Sequence, residues 1–350
     1  MQNFFNSKQV AIFSDIHLGV HKNSSFWHSI SLDWADWFIS DLKSRNITDI
    51  VFCGDLFHVR SDISVSTLHV GTKLLDKFKE FNLILIIGNH DCFLKDSSAI
   101  NSISQFKNWS NVTVIDTATV IESHNKKFAC IPWGVELDQI PNSDVIFGHF
   151  AINYFKNSAY YVCDTGENAQ DLLNKTKLVI TGHFHLRDDR TFANGRVLYV
   201  GNPFQMDFGD SNTSKGYYIL DVDKLDTVYI ENTLSPKHFV LILSDLVAET
   251  TLTQPVLKSI SGNFIKLKIN MRISTEDTDI LITKIKQYNP ISIVIEYEGN
   301  YCDYNIDSER KDLSGIDIEQ AIIEFIDLMD INNKPEIIKH TTELYKSLSK

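Results

Sequence analysis

Apolar runs that are typical of buried strands alternate with stretches of helical periodicity over the first two thirds of the chain. Five of these runs lie at residues 10–13, 50–52, 83–87, 145–147 and 178–180. Continuous apolar runs of this length indicate strands that are covered on both faces of a sheet. Between them, apolar residues recur three or four positions apart at 26–42 and 65–81, which predicts two amphipathic helices.

Short strands dominate beyond residue 149, where the helical periodicity weakens. The strand-like runs lie at residues 178–180, 197–200, 217–220 and 228–230. This combination predicts an α/β fold in which two packed sheets are flanked by helices, rather than a single Rossmann-type sheet. Pro236 is the expected boundary, so residues 1–235 are predicted to form the first domain.

The rest of the chain predicts a smaller appended region. A strand, a helix and a strand are expected at 264–269, 276–288 and 291–296. They indicate a β-α-β unit, so residues 236–305 are predicted to form a small α+β capping domain. Residues 306–350 are predicted to hold a pair of helices, at 316–331 and 336–348, with Pro335 opening the second.

A polar cluster directly follows each of the five apolar runs. The clusters are Asp15-Ile16-His17, Gly54-Asp55, Gly88-Asn89-His90-Asp91, Gly148-His149 and Gly182-His183-Phe184-His185. Loops at the carboxyl ends of strands meet at one edge of an open α/β sheet, so these clusters are expected to converge on one cleft. Their mixture of nitrogen and oxygen donors suits a pair of divalent metal ions.

Asp55 is the expected bridge between the two ions, because a carboxylate has two oxygens. Asp15 and His17 lie two residues apart in one loop and can bind one ion together. The ligands expected to complete the site are Asn89, His149, His183 and His185, with the last two divided between the ions.

His90 is adjacent to a predicted ligand and can face the substrate instead of the metal. There it could act as a general acid near neutral pH, with Asp91 fixing its orientation. Any one of the five clusters is more often structural than functional. Five in a single chain, each after a buried strand, make a structural explanation hard to sustain.

Composition narrows the class of protein without fixing its function. No apolar run approaches the ~18 residues that a membrane span requires, and the N-terminus lacks the basic and apolar regions of a signal peptide. The five cysteines are odd in number and scattered, which favours reduced thiols in a cytosol-like compartment. The net charge of −12 disfavours a broad basic surface, so contacts with DNA would come from local patches or from a partner.

Together the five clusters resemble the signature motifs of the calcineurin-like metallophosphoesterase superfamily. Within it, three stretches are similar to SbcD-type nucleases, the nuclease subunits of a complex that processes DNA double-strand breaks. These stretches are Asp15-Ile16-His17-Leu18-Gly19, Gly54-Asp55-Leu56-Phe57-His58, and the segment from Gly201-Asn202-Pro203 through Gly209-Asp210 to Lys215-Gly216-Tyr217. The resemblance extends over residues 8–235, and the β-α-β unit resembles the family's DNA-facing capping domain in pattern and position.

The resemblance implies a role for each polar residue. One ion would be held by Asp15, His17, Asp55 and His185, and the other by Asp55, Asn89, His149 and His183. The metal would be manganese, with magnesium as the alternative. His90 would protonate the leaving oxygen, and His58 would position or stabilise the phosphate, although some relatives have Asp at the position of His58.

The implied activity is hydrolysis of phosphodiester bonds in DNA, as an exonuclease or endonuclease in end processing, recombination and repair. In the family, a C-terminal helical segment clasps an SbcC-type coiled-coil ATPase, so residues 314–350 are expected to bind such a partner. Helices expected at 65–81 and 100–109 would pair two chains as a homodimer. No membrane is implied. The expected location is the cytoplasm, which would be the host's if a phage encodes the chain.

Two other functions compete with a nuclease. A protein phosphatase or cyclic-nucleotide phosphodiesterase could use the same fold, but such phosphatases typically carry Gly-Asp-x-x-Asp-Arg-Gly and Gly-Asn-His-Glu. This chain has Gly54-Asp55-Leu56-Phe57-His58 and Gly88-Asn89-His90-Asp91. A non-catalytic scaffold would normally lack one or more metal ligands, and none of the expected ligands is missing here.

Overall fold

The computed structural model describes residues 3–95, 97–156, 161–248, 259–298, 323, 326 and 333–348. Its strands are β1 (Gln9–Phe13), β2 (Asp49–Phe52), β3 (Asn82–Ile86), β4 (Cys92–Leu94), β5 (Ser97–Asn101), β6 (Val112–Ile115), β7 (Thr119–Ser123), β8 (Lys126–Ile131), β9 (Val145–His149), β10 (Leu178–Gly182), β11 (Asp188–Phe192), β12 (Gly195–Tyr199), β13 (Gly216–Asp221), β14 (Thr227–Glu231), β15 (His238–Ile242), β16 (Phe264–Ile269) and β17 (Ser292–Tyr297). Its main helices are α1 (Ser25–Ser44), α2 (Val65–Lys77), α3 (Ala169–Leu173), α4 (Leu243–Ala248), α5 (Thr275–Lys286) and α6 (Lys334–Leu348).

Two six-stranded sheets form the larger part of the structure. The first has the order β14-β13-β1-β2-β3-β6, and the second has the order β11-β12-β10-β9-β8-β7. In the first sheet, β1, β2, β3 and β6 run parallel. In the second sheet, β8, β9, β10 and β12 run parallel. Each sheet therefore brings the carboxyl ends of at least three neighbouring strands to one edge.

Alternation along the strands creates an apolar layer on each face of the sheets. In β1, Val10 and Ile12 belong to the core between the sheets, whereas Ala11 and Phe13 belong to the core beneath the helices. Successive residues of a strand point to opposite faces, so a strand covered on both sides must be apolar throughout. This is why the predicted strands appear as continuous apolar runs, and the expected two-sheet α/β fold is confirmed.

Helices α1 and α2 cover the outer face of the first sheet. Trp34 and Phe38 of α1 are fully buried and pack their rings against Phe13. Helix α2 begins where the Ser64 side chain accepts a hydrogen bond from the Thr67 backbone N–H, a typical N-cap. Both helices match the predicted periodicity, although α2 ends at Lys77 and not at residue 81.

A smaller parallel sheet, β15-β16-β17, packs against helix α5 with a core of its own. The expected β-α-β unit is confirmed, and β15 extends it by one strand. The Trp27 ring of α1 stacks on Phe264 of β16, with centroids 5.4 Å apart and planes within 9°. The boundaries expected at residues 235 and 305 stay predictions.

One predicted helix is wrong. Residues 100–109 contain the end of strand β5 and a single 3-10 turn, Ser104–Phe106, instead of an amphipathic helix. The Asn101 side chain accepts hydrogen bonds from the backbone N–H groups of Ile103 and Ser104, which turns the chain before a helix can form. The apolar spacing that suggested a helix reflects burial of Ile103 and Phe106 beneath this turn.

The C-terminal helical pair is only partly within the described residues. The helix expected at 316–331 lies outside them except for residues 323 and 326. The second helix is confirmed as α6, with Pro335 in its first turn, where a missing N–H costs nothing. Within the described parts of the chain, no helix is long and apolar enough to cross a membrane.

Candidate metal centre

Several of the predicted metal-binding motifs begin at a sharp turn where a strand ends. Asp15 follows β1, Asp55 follows β2 and His183 follows β10, with φ angles of 56°, 63° and 91°. His17 is also left-handed, with a φ of 49°. Such angles are costly for residues with a side chain and cluster at functional sites, where the surrounding structure fixes them. The turns bring these four side chains together at one edge of the sandwich.

Two glycines, Gly88 after β3 and Gly182 at the end of β10, let the polar groups approach closely. A Cβ at Gly88 would overlap the Asp55 carboxylate, and a Cβ at Gly182 would overlap the Ser14 hydroxyl beside Asp15. Neither glycine has a positive φ, so each is required by space and not by backbone conformation. The lack of a side chain at Gly88 and Gly182 therefore allows the polar groups of the site to lie this close together.

Asp15, His17 and His185 form the first group of donors. One ligand atom from each lies within 4.8 Å of the others. His17 Nε2 lies 2.9 Å from His185 Nε2 and 3.8 Å from Asp15 Oδ1. The His17 Nδ1 atom is buried without a hydrogen-bond partner. Imidazole nitrogens that face each other beside a carboxylate are the donor set expected around a divalent cation.

Asp55, His149, His183 and Asn89 form the second group. His149 Nε2 lies 3.4 Å from Asp55 Oδ2, which is also 3.6 Å from His17 Nε2 in the first group. The other Asp55 oxygen accepts the His90 backbone N–H at 2.8 Å. One oxygen of Asp55 thus lies between both groups, as a bridging ligand must.

The Asn89 amide also fits a cation. Its Oδ1 lies 2.8 Å from His183 Nδ1 and 2.9 Å from His149 Nε2. In this orientation its NH₂ group faces the Arg60 guanidinium, so that two donors oppose each other. With the amide turned over, its nitrogen would donate to both rings and its oxygen would accept from Arg60, so the inward-facing oxygen is the favoured arrangement only with a cation at the centre of the group.

Burial and shared charge set the protonation of the site. Burial disfavours the charged form of His149, but the Asp55 charge outweighs it and raises the pKa of His149 to about 9, so a bound cation would have to displace this proton. Burial lowers the pKa of His183 to about 3 and holds that of His17 far below its usual value, so both rings are neutral and could bind a metal ion. Burial raises the pKa of Asp15 to about 7, and the nearby Asp55 charge adds to this. Burial opposes ionisation of Asp55 too, but the His149 ring outweighs it and lowers the pKa of Asp55. Bound cations would relieve the charge that these carboxylates share.

The neighbouring groups fix one ligand ring and support another. The Cys53 carbonyl accepts the His149 Nδ1 proton at 2.7 Å, which leaves Nε2 free to face Asp55. Behind the second ring, the buried Lys215 ammonium donates to the His185 carbonyl at 2.8 Å and pairs with Asp210. Lys215 and Asp210 belong to the segment 201–217, which resembles the end of the SbcD-type nuclease domain. This segment therefore supports the backbone of the predicted ligand His185.

A family model for the calcineurin-like phosphoesterase superfamily domain matches residues 9–225, which contain every one of these donors. The chain belongs to the calcineurin-like phosphoesterase superfamily. The chain is 28% identical over 229 residues to Exonuclease subunit 1 of Enterobacteria phage T4, a match that covers 62% of this chain and 66% of that protein. The chain thus spans just under two thirds of the length of this relative.

Two further similarities are more distant. Over 234 residues the chain is 24% identical to protein 244L of Invertebrate iridescent virus 6, a proposed phosphoesterase, covering 57% of this chain and 81% of that protein. A solved structure of an archaeal phosphodiesterase is similar with a TM-score of 0.36 and 16% identity, covering 64% of this chain and 99% of that one. That similarity is too low to bear on the fold.

His90 lies beside the first group of donors, but Asp91 does not orient it as expected. The His90 ring donates from Nδ1 to the His58 carbonyl at 2.6 Å, and it packs edge-on against His17. The Asp91 carboxylate instead accepts four backbone N–H groups, from Asp55, Leu56, Phe57 and Gly88. Asp91 therefore shapes the loop that carries the bridging ligand.

The His58 side chain lies beside His90, with the two rings stacked 10° from parallel and centroids 5.7 Å apart. Burial lowers the pKa of His58, and the neighbouring His90 adds to this. A neutral, half-buried imidazole in this place can hydrogen-bond to a phosphate oxygen.

Two residues of the site were missed by the sequence reasoning. Arg60 approaches the Asn89 amide to 2.7 Å between side-chain nitrogens, and no other hydrogen bond or ion pair to its guanidinium occurs among the described residues. Trp133 packs against His183 and His149, with ring centroids 5.0 and 6.0 Å apart. Trp133 follows the apolar strand β8, so the same rule that identified the five clusters could have found it.

Proposed function

We propose that this chain is a metal-dependent DNA nuclease that hydrolyses phosphodiester bonds. The observation that carries the proposal is the convergence of seven donor side chains on two adjacent points that share Asp55. His90 lies beside them, where its ring and that of His58 form a third group of possible ligands with His17; we assign His90 to proton transfer because its Nδ1 is hydrogen-bonded to the His58 carbonyl. The T4 relative, an exonuclease subunit by name, supports DNA as the substrate. Ligand chemistry with several imidazoles supports manganese, iron or zinc over magnesium, and we propose manganese among these because the resemblance to SbcD-type nucleases implies it.

Seven of these residues would bind the metal ions, and His90 would transfer a proton. Asp15, His17 and His185 would hold one ion, Asn89, His149 and His183 the other, and Asp55 both. Bound ions of this kind polarise the phosphate and supply a nucleophile from water near neutral pH. The His58 carbonyl holds the Nδ1 proton of His90, which leaves Nε2 to carry a proton to the leaving oxygen.

Another phosphoesterase activity, on phosphomonoesters or cyclic nucleotides, is the second candidate. The superfamily supports hydrolysis of phosphoesters in general, and DNA as the substrate rests on the exonuclease relative alone. The two candidates differ in the substrates that they hydrolyse.

A substrate panel tests this proposal. The purified protein is incubated with linear duplex DNA, bis(p-nitrophenyl) phosphate, p-nitrophenyl phosphate and cyclic nucleotides, with manganese or with magnesium. We expect manganese-dependent cleavage of DNA and of the diester, both abolished in Asp55→Asn together with metal binding. Hydrolysis confined to the monoester or the cyclic nucleotides would establish the second candidate. Bound metal without hydrolysis of any substrate would indicate a scaffold.

We also propose two partners for the nuclease. Residues 314–350, of which helix α6 is described, would bind an SbcC-type ATPase, and deleting them should abolish co-purification while diester hydrolysis persists. A homodimer would form through the surface that contains the exposed Val65 of α2 and Ile100 of β5. Light scattering that gives only the monomer mass of 40.0 kDa, with and without DNA, would exclude the dimer.

A further inference from the structure

A pocket of about 250 Å³ adjoins the second group of metal ligands. One wall is the metal ligand His149 with its neighbours Phe150 and Ala151, and another is Trp133. Glu136 and Glu167 also line the pocket. None of the proposed catalytic roles uses Trp133 or either glutamate. An aromatic ring and two carboxylates therefore stand beside the reaction centre without an assigned purpose.

The walls of this pocket are held in place by the same segments that hold the metal ligands. The Trp133 indole N–H donates to the Lys95 carbonyl at 2.9 Å, and its backbone N–H donates to the Ile87 carbonyl at 2.9 Å, just before the Asn89 motif. The Glu167 backbone N–H donates to the Ala151 carbonyl at 2.8 Å, two residues after His149. A preformed pocket of this kind orders a ligand at low entropic cost.

The charge of the pocket decides which part of a nucleic acid can enter it. Glu136 and Glu167 repel phosphate groups. They are close enough that the Glu136 charge adds to burial in raising the pKa of Glu167. A nucleobase is uncharged, has a flat face that stacks on an indole, and can offer N–H donors to carboxylates. The pocket volume suits a single ring system and not a duplex.

We propose that this pocket, lined by Trp133, Glu136 and Glu167, binds one nucleobase next to the phosphodiester bond that is cleaved. The base stacks on Trp133, and an exocyclic amino group donates to the glutamates. Cytosine, adenine and guanine carry such a group. Thymine presents carbonyl oxygens there, which the carboxylates repel. The inference rests on the proposed nuclease function and adds a preference for the base.

The test uses single-stranded oligonucleotides that are identical except at one nucleotide, which is dC, dT or an abasic residue. Manganese-dependent hydrolysis of bis(p-nitrophenyl) phosphate is measured first, and its absence would refute the nuclease function itself. With the diester hydrolysed, we expect kcat/KM to be about 10-fold higher for cleavage beside dC than beside dT, the scale of one hydrogen bond to a charged group.

The double variant Glu136→Gln/Glu167→Gln should bring the dC to dT ratio close to one, because neutral amides accept and donate alike. The control Asp138→Asn removes an exposed carboxylate nearby that does not line the pocket, and it should keep the wild-type ratio. Trp133→Ala should lower kcat/KM by about 10-fold more for dC than for the abasic substrate, since only the dC substrate loses base stacking. Elemental analysis checks that each variant retains its metals.

Two results would overturn the inference. One is an equal rate beside dC, dT and the abasic residue in the wild-type protein. The other is a dC to dT ratio that persists unchanged in Glu136→Gln/Glu167→Gln with normal metal content. Either result would leave the nuclease function standing, because the base-free diester reports on that function separately.

Discussion

Replacing Asp91 with Asn tests whether this buried carboxylate organises the loop of the bridging ligand. Its Oδ2 accepts the backbone N–H groups of Asp55 and Gly88 at 2.9 and 3.0 Å, and its Oδ1 accepts those of Leu56 and Phe57 at 3.0 and 3.2 Å. An amide can offer oxygen to only one of these pairs, and its NH₂ group would face the other. Two hydrogen bonds to a charged acceptor are lost, each worth about 1.5–3 kcal/mol, so the free energy of unfolding should fall by about 3–6 kcal/mol.

Urea unfolding measures this loss, and titration calorimetry measures the affinity for manganese in the same variant. Burial, reinforced by the Asp55 charge, raises the pKa of Asp91 to about 7, so both measurements belong well above that pH, where the carboxylate is ionised. We expect weaker manganese binding, because the Asp55 backbone loses its support. The control Asp76→Asn alters an exposed ion pair with Lys79 and should change the free energy of unfolding by less than about 1 kcal/mol.

The role first expected for Asp91, orientation of the His90 ring, makes a different prediction. If Asp91 acts by orienting His90, the variant should unfold like the control, bind manganese normally and lose turnover. That pattern would refute the assignment made from the four backbone hydrogen bonds.

Three further substitutions follow from the site. Arg60→Ala should lower kcat/KM for a phosphodiester, measured by steady-state kinetics, by roughly 10- to 100-fold with metal content unchanged. The reason is that the Arg60 guanidinium, which has no ion pair among the described residues, can bind a phosphate oxygen beside the metal centre. Gly88→Ala should lose bound metal in elemental analysis, since its Cβ overlaps the Asp55 carboxylate. Lys215→Met should lower the free energy of unfolding in urea by about 3–5 kcal/mol by leaving Asp210 buried without its cation, and adding Asp210→Asn should recover part of this.

The sheet edge and its donors could be predicted from the sequence because both depend on local pattern and simple topology. A strand covered on both faces is apolar at every position, so Asp15, Asp55 and His183 stand out directly after such runs. Parallel pairing then places the loops together whatever the order of the strands. The seven donors expected from this argument lie within reach of one another, and the structure adds His58 and His90 beside His17 as further possible donors.

The role of Asp91 could not be read from the sequence, because its partners are backbone groups. Every residue except proline has an N–H, so no residue type indicates which carboxylate will accept four of them. The expected helix at 100–109 was wrong for a related reason. The Asn101 side chain bonds to the backbone and turns the chain, while the apolar spacing alone favoured a helix.

The division of donors between the two sheets has a consequence for the fold. Asp15, His17, Asp55 and Asn89 follow strands of the first sheet, whereas His149 ends one strand of the second sheet and His183 and His185 follow the neighbouring strand. The first sheet thus supplies both carboxylates, the amide and one imidazole, and the second supplies imidazoles alone. Because each group of donors includes residues from both sheets, a bound ion would join the two layers at their shared edge. We therefore expect metal binding to be coupled to packing of the sandwich, since the donors reach the same points only when the sheets are packed together.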